Sequence, residues 1–598
     1  MKMMRHGVLL ALALLLMLDS ALRAQVLQQV PGDALVVLKV NNLKGTSDKI
    51  ATLAKDLGVA AFAPPLADPL GALQVQTKMQ QGVNVGGDFA FVFLDPSKTG
   101  GPDKSMLLLV PVLDYKIFLS NWPDAQTTGA VSSVRFGTNN EPAFVANWGN
   151  YAAISPSEQA VANKPTAPMT APSVTTKEMA AKDAVLYVNL NNVRPLALPQ
   201  LQQNRGMITN QLDMAFAGNP QVGKLAPLIK AIVNQFINGG EEFLKDGEAA
   251  SVGLAITPQG INATFMTEFT KDSYIAQNFA SMKNSDAPML SGLPTGKYLF
   301  YGGGVVDDPQ RNAKNLSDMV DPVLKELLAM GPEMAPATEY MNALKTFVAS
   351  GKSTSFGVLA PSGQIGTQSL IQFVQVQTGQ AQAMQDAYTK MMNAQAALMK
   401  ALAIPGTAST QVIVTPKAKT LDGVSFDQVV NKIDANPQDP VAMQQKQIMD
   451  IMYGPGGVVM NYGVVAPDKL VLSMGVSDAV LSSTVAAAKS NAAPLADNPN
   501  LKAVAAQLPK QRLMSGYLNL GELVTTALNY SKQFGFAVPV QLPPDLPPIG
   551  MTIGTEENTA IRADVNVPTA LIQSLVAGGM QAMMQMQGGG PGAAPGGL

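Results

Sequence analysis

Two stretches decide the fold: Asp33-Ala-Leu-Val-Val-Leu-Lys-Val-Asn-Asn-Leu-Lys44 and Asp183-Ala-Val-Leu-Tyr-Val-Asn-Leu-Asn-Asn-Val-Arg194. They share Asp, Ala and both Asn at an offset of 150 residues. Their β-branched and aromatic centres predict buried strands. The closing Asn residues predict a turn into a helix, because an Asn side chain accepts from free amides at a helix start. Tyr517-Leu-Asn-Leu-Gly-Glu-Leu523 matches the second half of this pattern, and Tyr298-Leu-Phe-Tyr-Gly-Gly-Gly304 is a looser copy.

Two further elements recur. Ser251 to Ile261 and Ser355 to Ile365 each read as strand, Pro-x-Gly turn and strand, the signature of a β-hairpin. Residues 551–566 read as a degenerate copy. Tyr151 to Val161 and Leu470 to Val480 each place a strand before Ser-acid (Ser157-Glu158, Ser477-Asp478) and an Ala/Val-rich helix. There Ser caps the helix and the acid complements its dipole.

The fold class predicted is α+β: repeated strand, helix, antiparallel hairpin, helix modules, with antiparallel or mixed sheets covered by helices. The period is too long for a short solenoid. The Pro/Thr/Ala stretch 164–176, Ser285–Pro294 and Ala492–Asn500 suggest boundaries. The predicted division is a signal peptide 1–24, a first module 25–168, a related second module 169–290, a third region 291–496 with long Met-rich helices, a C-terminal region 497–587, and a Gly/Pro tail 588–598.

The N-terminus has targeting character. Lys2 and Arg5 precede the 11-residue apolar run Val8–Leu18, and small residues lead to Ala24. This is the layout of a secretory signal peptide, cut between Ala24 and Gln25. The run is too short to span a bilayer, which takes ~20 residues. Cleavage removes Lys2, Arg5, Asp19, Arg23 and His6, leaving 38 basic against 42 acidic residues and no His or Cys. The expected location is therefore periplasmic or extracellular, with no transmembrane segment in the mature chain.

Composition narrows the chemistry. The 598 residues are 47% hydrophobic and 14% charged, with net charge -2, so several cores are affordable and no basic field exists for nucleic acid. Without His or Cys, imidazole-assisted and thiol nucleophiles, disulfides and ordinary zinc, copper or haem ligation are absent from the mature chain. No S-x-x-K, G-x-S-x-G, EF-hand or phosphate-loop motif occurs. No catalytic, cofactor-binding or metal-binding residue is therefore assigned, no cofactor is expected, and the chain reads as a non-enzyme.

Weaker features have ordinary structural readings. Met384, Tyr388, Met391, Leu398, Met399 and Leu402 share a helical face that reads as core, with a partner groove as the alternative. Residues 307–349 read as helix broken near Gly331-Pro332. Gly302-Gly303-Gly304 reads as close packing or a turn. Trp148 and Tyr151 read as a hairpin contact, with a carbohydrate platform as the alternative. Glu241, Glu242, Asp246 and Glu248, and Asp307 with Asp308, read as solvated helix ends; Ca²⁺ binding or paired-carboxylate glycoside cleavage is the alternative.

The signal peptide followed by Val30-Pro31 to Val40, together with Phe144–Val161 and Leu293–Gly304, resembles uncharacterised exported bacterial proteins of planctomycete type. The resemblance implies export and a mixed α+β architecture and carries no site residues. The expected role is binding an unknown protein or envelope component, or a structural role, with self-association allowed. The alternatives are a secreted carboxylate-dependent hydrolase acting on glycans and a carrier of an apolar small ligand.

Overall fold

In the computed structural model the two look-alike strands are neighbours in one sheet. β1 (Val36–Val40) runs antiparallel to β8 (Ala184–Asn189), with Val37 opposite Tyr187. The structure describes residues 26–217, 226–287, 289–361, 363–401, 409–435, 438–533, 535, 542–543 and 545–588. The signal-peptide reading, with His6 and the Ala24/Gln25 cut, lies outside them, as does the tail beyond residue 588.

The chain divides into two compact units. The first takes the chain up to Pro199, Phe243–Gln277 and Glu556–Asp564. The second takes Gln200–Glu242, Asn278–Thr555 and the chain from Val565. The modules read from sequence follow individual strand motifs. The units follow contacts, and so gather β1 and β8 together.

The first unit contains β2 (Phe89–Phe93), β3 (Met106–Pro111), β4 (Gln126–Thr128), β5 (Val131–Phe136), β6 (Glu141–Asn147), β7 (Tyr151–Ser155), β9 (Gly247–Thr257) and β10 (Gly260–Phe269). With β1 and β8, its sheet order is β10-β9-β8-β1-β2-β3-β7-β6-β5-β4. The second unit contains β11 (Tyr298–Val305), β12 (Gly351–Leu359), β13 (Gln372–Gly379), β14 (Ser409–Leu421), β15 (Val424–Asp434), β16 (Val458–Ala466), β17 (Lys469–Met474), β18 (Met514–Leu518) and β19 (Ile549–Glu556), the last in a hairpin with β20 (Ala560–Pro568). Its order is β19-β18-β11-β12-β13-β17-β16-β15-β14, which repeats the first unit's β9-β8-β1-β2-β3-β7-β6-β5-β4 strand for strand. Every pairing whose register is described is antiparallel, so the fold is α+β with antiparallel sheets covered by helices.

Local chemistry explains the sequence likenesses. Asn42 accepts from Gly45 N (2.9 Å), Asn189 from Asn192 N (3.2 Å) and Asn519 from Glu522 N (3.0 Å). Each Asn thus satisfies a free amide where a strand gives way to the helices Leu43–Asp56, Leu190–Ala217 and Leu520–Gln533. Gly302–Gly304 differ: they are not a turn but the middle of β11, and the next helix, Pro309–Ala329, is capped by Asp308. That helix and Pro336–Ser350 flank a short turn at Pro332–Met334, where the sequence breaks.

The hairpin readings divide. Thr257–Gly260 closes β9 on β10, and left-handed Glu557 and Asn558 close β19 on β20. The Ser355–Ile365 stretch is not a tight hairpin. β12 ends at Leu359 and β13 begins at Gln372, because the connection turns again at Gly366 (φ 78°), which ends any strand there. The strand-then-helix element holds in both places, at β7 with Glu158–Ala162 and at β17 with Asp478–Lys489. Ser477 caps its helix; Ser157 makes no side-chain cap, and its own amide donates to Ser155 Oγ instead (3.0 Å).

One face of the first sheet is core. Val37, Ala90, Val92, Leu107, Leu109, Val185 and Tyr187 bury themselves with Trp148, Val161 and Met179. In the second unit Met384, Met391 and Met392 of helix Ala381–Ala401 pack on Tyr462, Leu470 and Leu472. The Met-rich face is thus core, with Met399 exposed and Leu402 outside the described residues.

Candidate functional site

The opposite face of the first sheet is apolar and open. Register places Leu108, Phe91, Leu38, Leu186, Val252 and Phe265 in one row across β3, β2, β1, β8, β9 and β10. The row on one side holds Met106, Phe93, Val36, Val188, Ala250 and Thr267. The row on the other holds Phe89, Val40, Ala184, Leu254 and Ala263. No charged side chain stands in these three rows. Met106, Leu38, Leu186, Leu254 and Phe265 are 36% to 49% exposed. A contiguous, partly exposed apolar surface of this kind is a candidate interaction site.

The central row runs into a cavity of about 500 Å³. Phe91, Met106, Leu108, Phe136, Ala143 and Ile154 form its apolar walls. Asp103 and Glu141 also line it, and neither makes an ion pair among the described residues. Beyond the cavity, Phe118 and Trp122 cover Val145 and Ile154, so the open stretch ends there. The matching row of the second unit, Met474-Phe373-Val358-Phe300-Leu518-Ile549, is bordered by Gln375 and Gln377. Phe356, in the next row beside Gln375, packs on two of its rings, Phe300 at 5.6 Å and Phe373 at 6.4 Å.

The residues weighed from sequence fall elsewhere. Trp148 and Tyr151 are buried, and Trp148 Nε1 donates to Val161 O (2.9 Å), so they form no surface platform. Asp246 accepts from Ile275 N (3.0 Å) and Asp308 from Arg311 N (3.0 Å), both as helix-start acceptors. Glu241 pairs with Arg205 (3.5 Å) and Asp307 with Lys283 (3.2 Å). Among the described residues no three His, Cys, Asp or Glu cluster as a metal site. An open cleft in the second unit holds Asp386 and Asp427. Both are engaged locally: Asp427 accepts from Gln385 Nε2 (2.9 Å) and Lys417 N (2.8 Å), and Asp386 from Gln382 Nε2 (2.9 Å). No described helix is long and apolar enough to cross a membrane.

The open face escaped the sequence reading because Ala184-Val-Leu-Tyr-Val188 is apolar on both faces, and in Val36-Val-Leu-Lys-Val40 the one charge, Lys39, marks the wrong face as solvated. In the former, alternation, the usual sign of a solvated face, is missing, so that strand reads as buried on both sides.

No family model and no curated protein matches the chain. Among solved structures, crystal forms III, IV and I of TP0453 are similar over 49% of this chain, covering 100%, 97% and 98% of theirs. Identities are 8%, 11% and 10%, and TM-scores 0.20, 0.20 and 0.21.

Proposed function

We propose that this chain is an exported, non-enzymatic binding protein whose first unit takes up an apolar small molecule along its open sheet face. The uncharged row from Leu108 to Phe265, running into the cavity beside Ile154, carries this reading. The volume lies within the ~300–1,000 Å³ usual for small-molecule sites, and such sites are mostly apolar with few polar groups. Asp103 and Glu141 favour a cationic head group over an anionic one. The signal-peptide layout supports export, and the matching strand orders support descent of both units from one duplicated module.

Displacement of a fluorescent alkyl probe from the mature chain tests the reading. A long-chain alkylamine should bind two- to fivefold more tightly than the fatty acid of equal length, since a rim carboxylate contributes ~0.5–1 kcal/mol. Leu108→Gln should raise the Kd for both about tenfold or more, because burying a leucine is worth ~1.5–3 kcal/mol. Absence of binding by either compound, or binding indifferent to Leu108→Gln, would overturn the reading.

A further inference from the structure

The second unit holds a cavity of different chemistry, independent of the apolar face. It measures about 290 Å³ and is lined by Lys297, Tyr298, Tyr301, Asn498, Asn519 and Glu522, among others. Its inner wall is aromatic. Tyr301 is 7% exposed and stacks on Tyr517 at a ring separation of 5.4 Å. Tyr298 lies 5.6 Å from it and donates its hydroxyl to Pro294 O (3.0 Å). The Tyr301 hydroxyl has no such partner: no hydrogen bond to it exists among the described residues. The ring is buried, while the hydroxyl is an unused donor and acceptor on a side chain that lines the cavity.

Two carboxamides supply donors beside it. Asn519 Oδ1 accepts from Glu522 N (3.0 Å), and Asn498 Oδ1 accepts from Asn500 N (2.9 Å) and Leu501 N (3.1 Å). These helix-start bonds fix which end of each amide is occupied. Both NH₂ groups are left without a described partner. Burial pushes the Tyr301 hydroxyl above its ordinary pKa, keeping it protonated. Glu522 supplies acceptors, and its charge is balanced at the mouth by Lys297 (3.5 Å). Asp545 also lines the cavity and makes no ion pair among the described residues, so one carboxylate remains unbalanced beside donors and acceptors held at fixed positions against an aromatic wall.

We propose that this cavity binds a small, neutral, polyhydroxylated molecule of monosaccharide size. Ring hydroxyls both donate and accept, so they answer the Tyr301 hydroxyl, the Asn498 and Asn519 amides and the Glu522 carboxylate without bringing a charge. The volume sits at the lower edge of ligand-site sizes, which suits one sugar ring rather than a polymer.

Ligand-observed saturation-transfer NMR on the full mature chain tests this, using glucose, galactose, mannose and N-acetylglucosamine at millimolar concentration. At least one should give a saturable signal. Tyr301→Phe keeps the ring and removes only the hydroxyl; it should raise the Kd about tenfold, with an unchanged or higher unfolding midpoint because no internal bond is lost. Asn519→Asp keeps the capping oxygen and removes the amide donor; it should also weaken binding about tenfold. Silence from all four sugars, or a Kd unmoved by both substitutions, would overturn the proposal.

Discussion

Asp88→Ala is expected to lower the stability of the first unit by about 3–5 kcal/mol, the usual cost of leaving a buried charge unpaired. Lys39 is 1% exposed in the middle of β1, and its ammonium lies 3.0 Å from Asp88 Oδ2. It also donates to Asn41 Oδ1 and to Met179 O (3.3 Å). Asp88 is equally buried, and its other oxygen accepts from Asn42 N (3.0 Å), where helix Leu43–Asp56 begins. Alanine therefore strands an ammonium in the core and frees an amide at a helix start. Asp88→Asn keeps an acceptor and should lose less. Combining it with Lys39→Met, which removes the charge, should recover most of the deficit. Urea unfolding followed by far-UV circular dichroism reads all three, and a loss below about 1 kcal/mol for Asp88→Ala would show the pair to be dispensable.

That pair also shows where sequence reasoning stops. In Val36-Val-Leu-Lys-Val40 an alternating rule sends Lys39 to solvent and Leu38 to the core; the structure does the reverse. Lys39 is held inside because Asp88, 49 positions along the chain, arrives beside it, and nothing local announces that. What depends on neighbours in sequence was legible: the cap at Asn42, the Pro-x-Gly turn between β9 and β10, and the helix break at Gly331-Pro332, whereas after β8 and β18 the capping Asn is Asn189 or Asn519, ahead of the Asn-Asn or Gly read as the turn. What depends on long-range pairing was not. The likeness of residues 33–44 and 183–194 reads as two modules, yet it marks two adjacent strands of one sheet. The second cavity was hidden for the same reason, since Tyr301, Asn498 and Asn519 lie far apart in the chain and each has a sufficient local reading as strand or cap.

Gly303→Ala is expected to be the most disruptive single methyl addition in β11. A Cβ there would stand 2.1 Å from Met289 O and 2.4 Å from Thr354 O. Both obstacles are backbone carbonyls. Thr354 is in β12, paired with β11 at Gly304 and a neighbour of the Gly303 position, so relief requires separating two strands of a sheet. Met289 belongs to the segment leading into β11, whose residues Leu290 and Leu293 are buried in the second unit's core, so it too resists displacement. Overpacking costs about 1–3 kcal/mol where side chains give way, and more where backbone must move; a loss above about 3 kcal/mol follows. Gly304→Ala separates this from a general intolerance of the strand. Its nearest contact is the flexible Met514 side chain at 3.0 Å, with Leu513 O next at 3.2 Å, so a loss near 1 kcal/mol is expected. Urea midpoints of the two variants should therefore differ clearly. Equal losses would mean that β11 tolerates added bulk by shifting as a whole, and that close backbone approach is not why glycine stands at position 303.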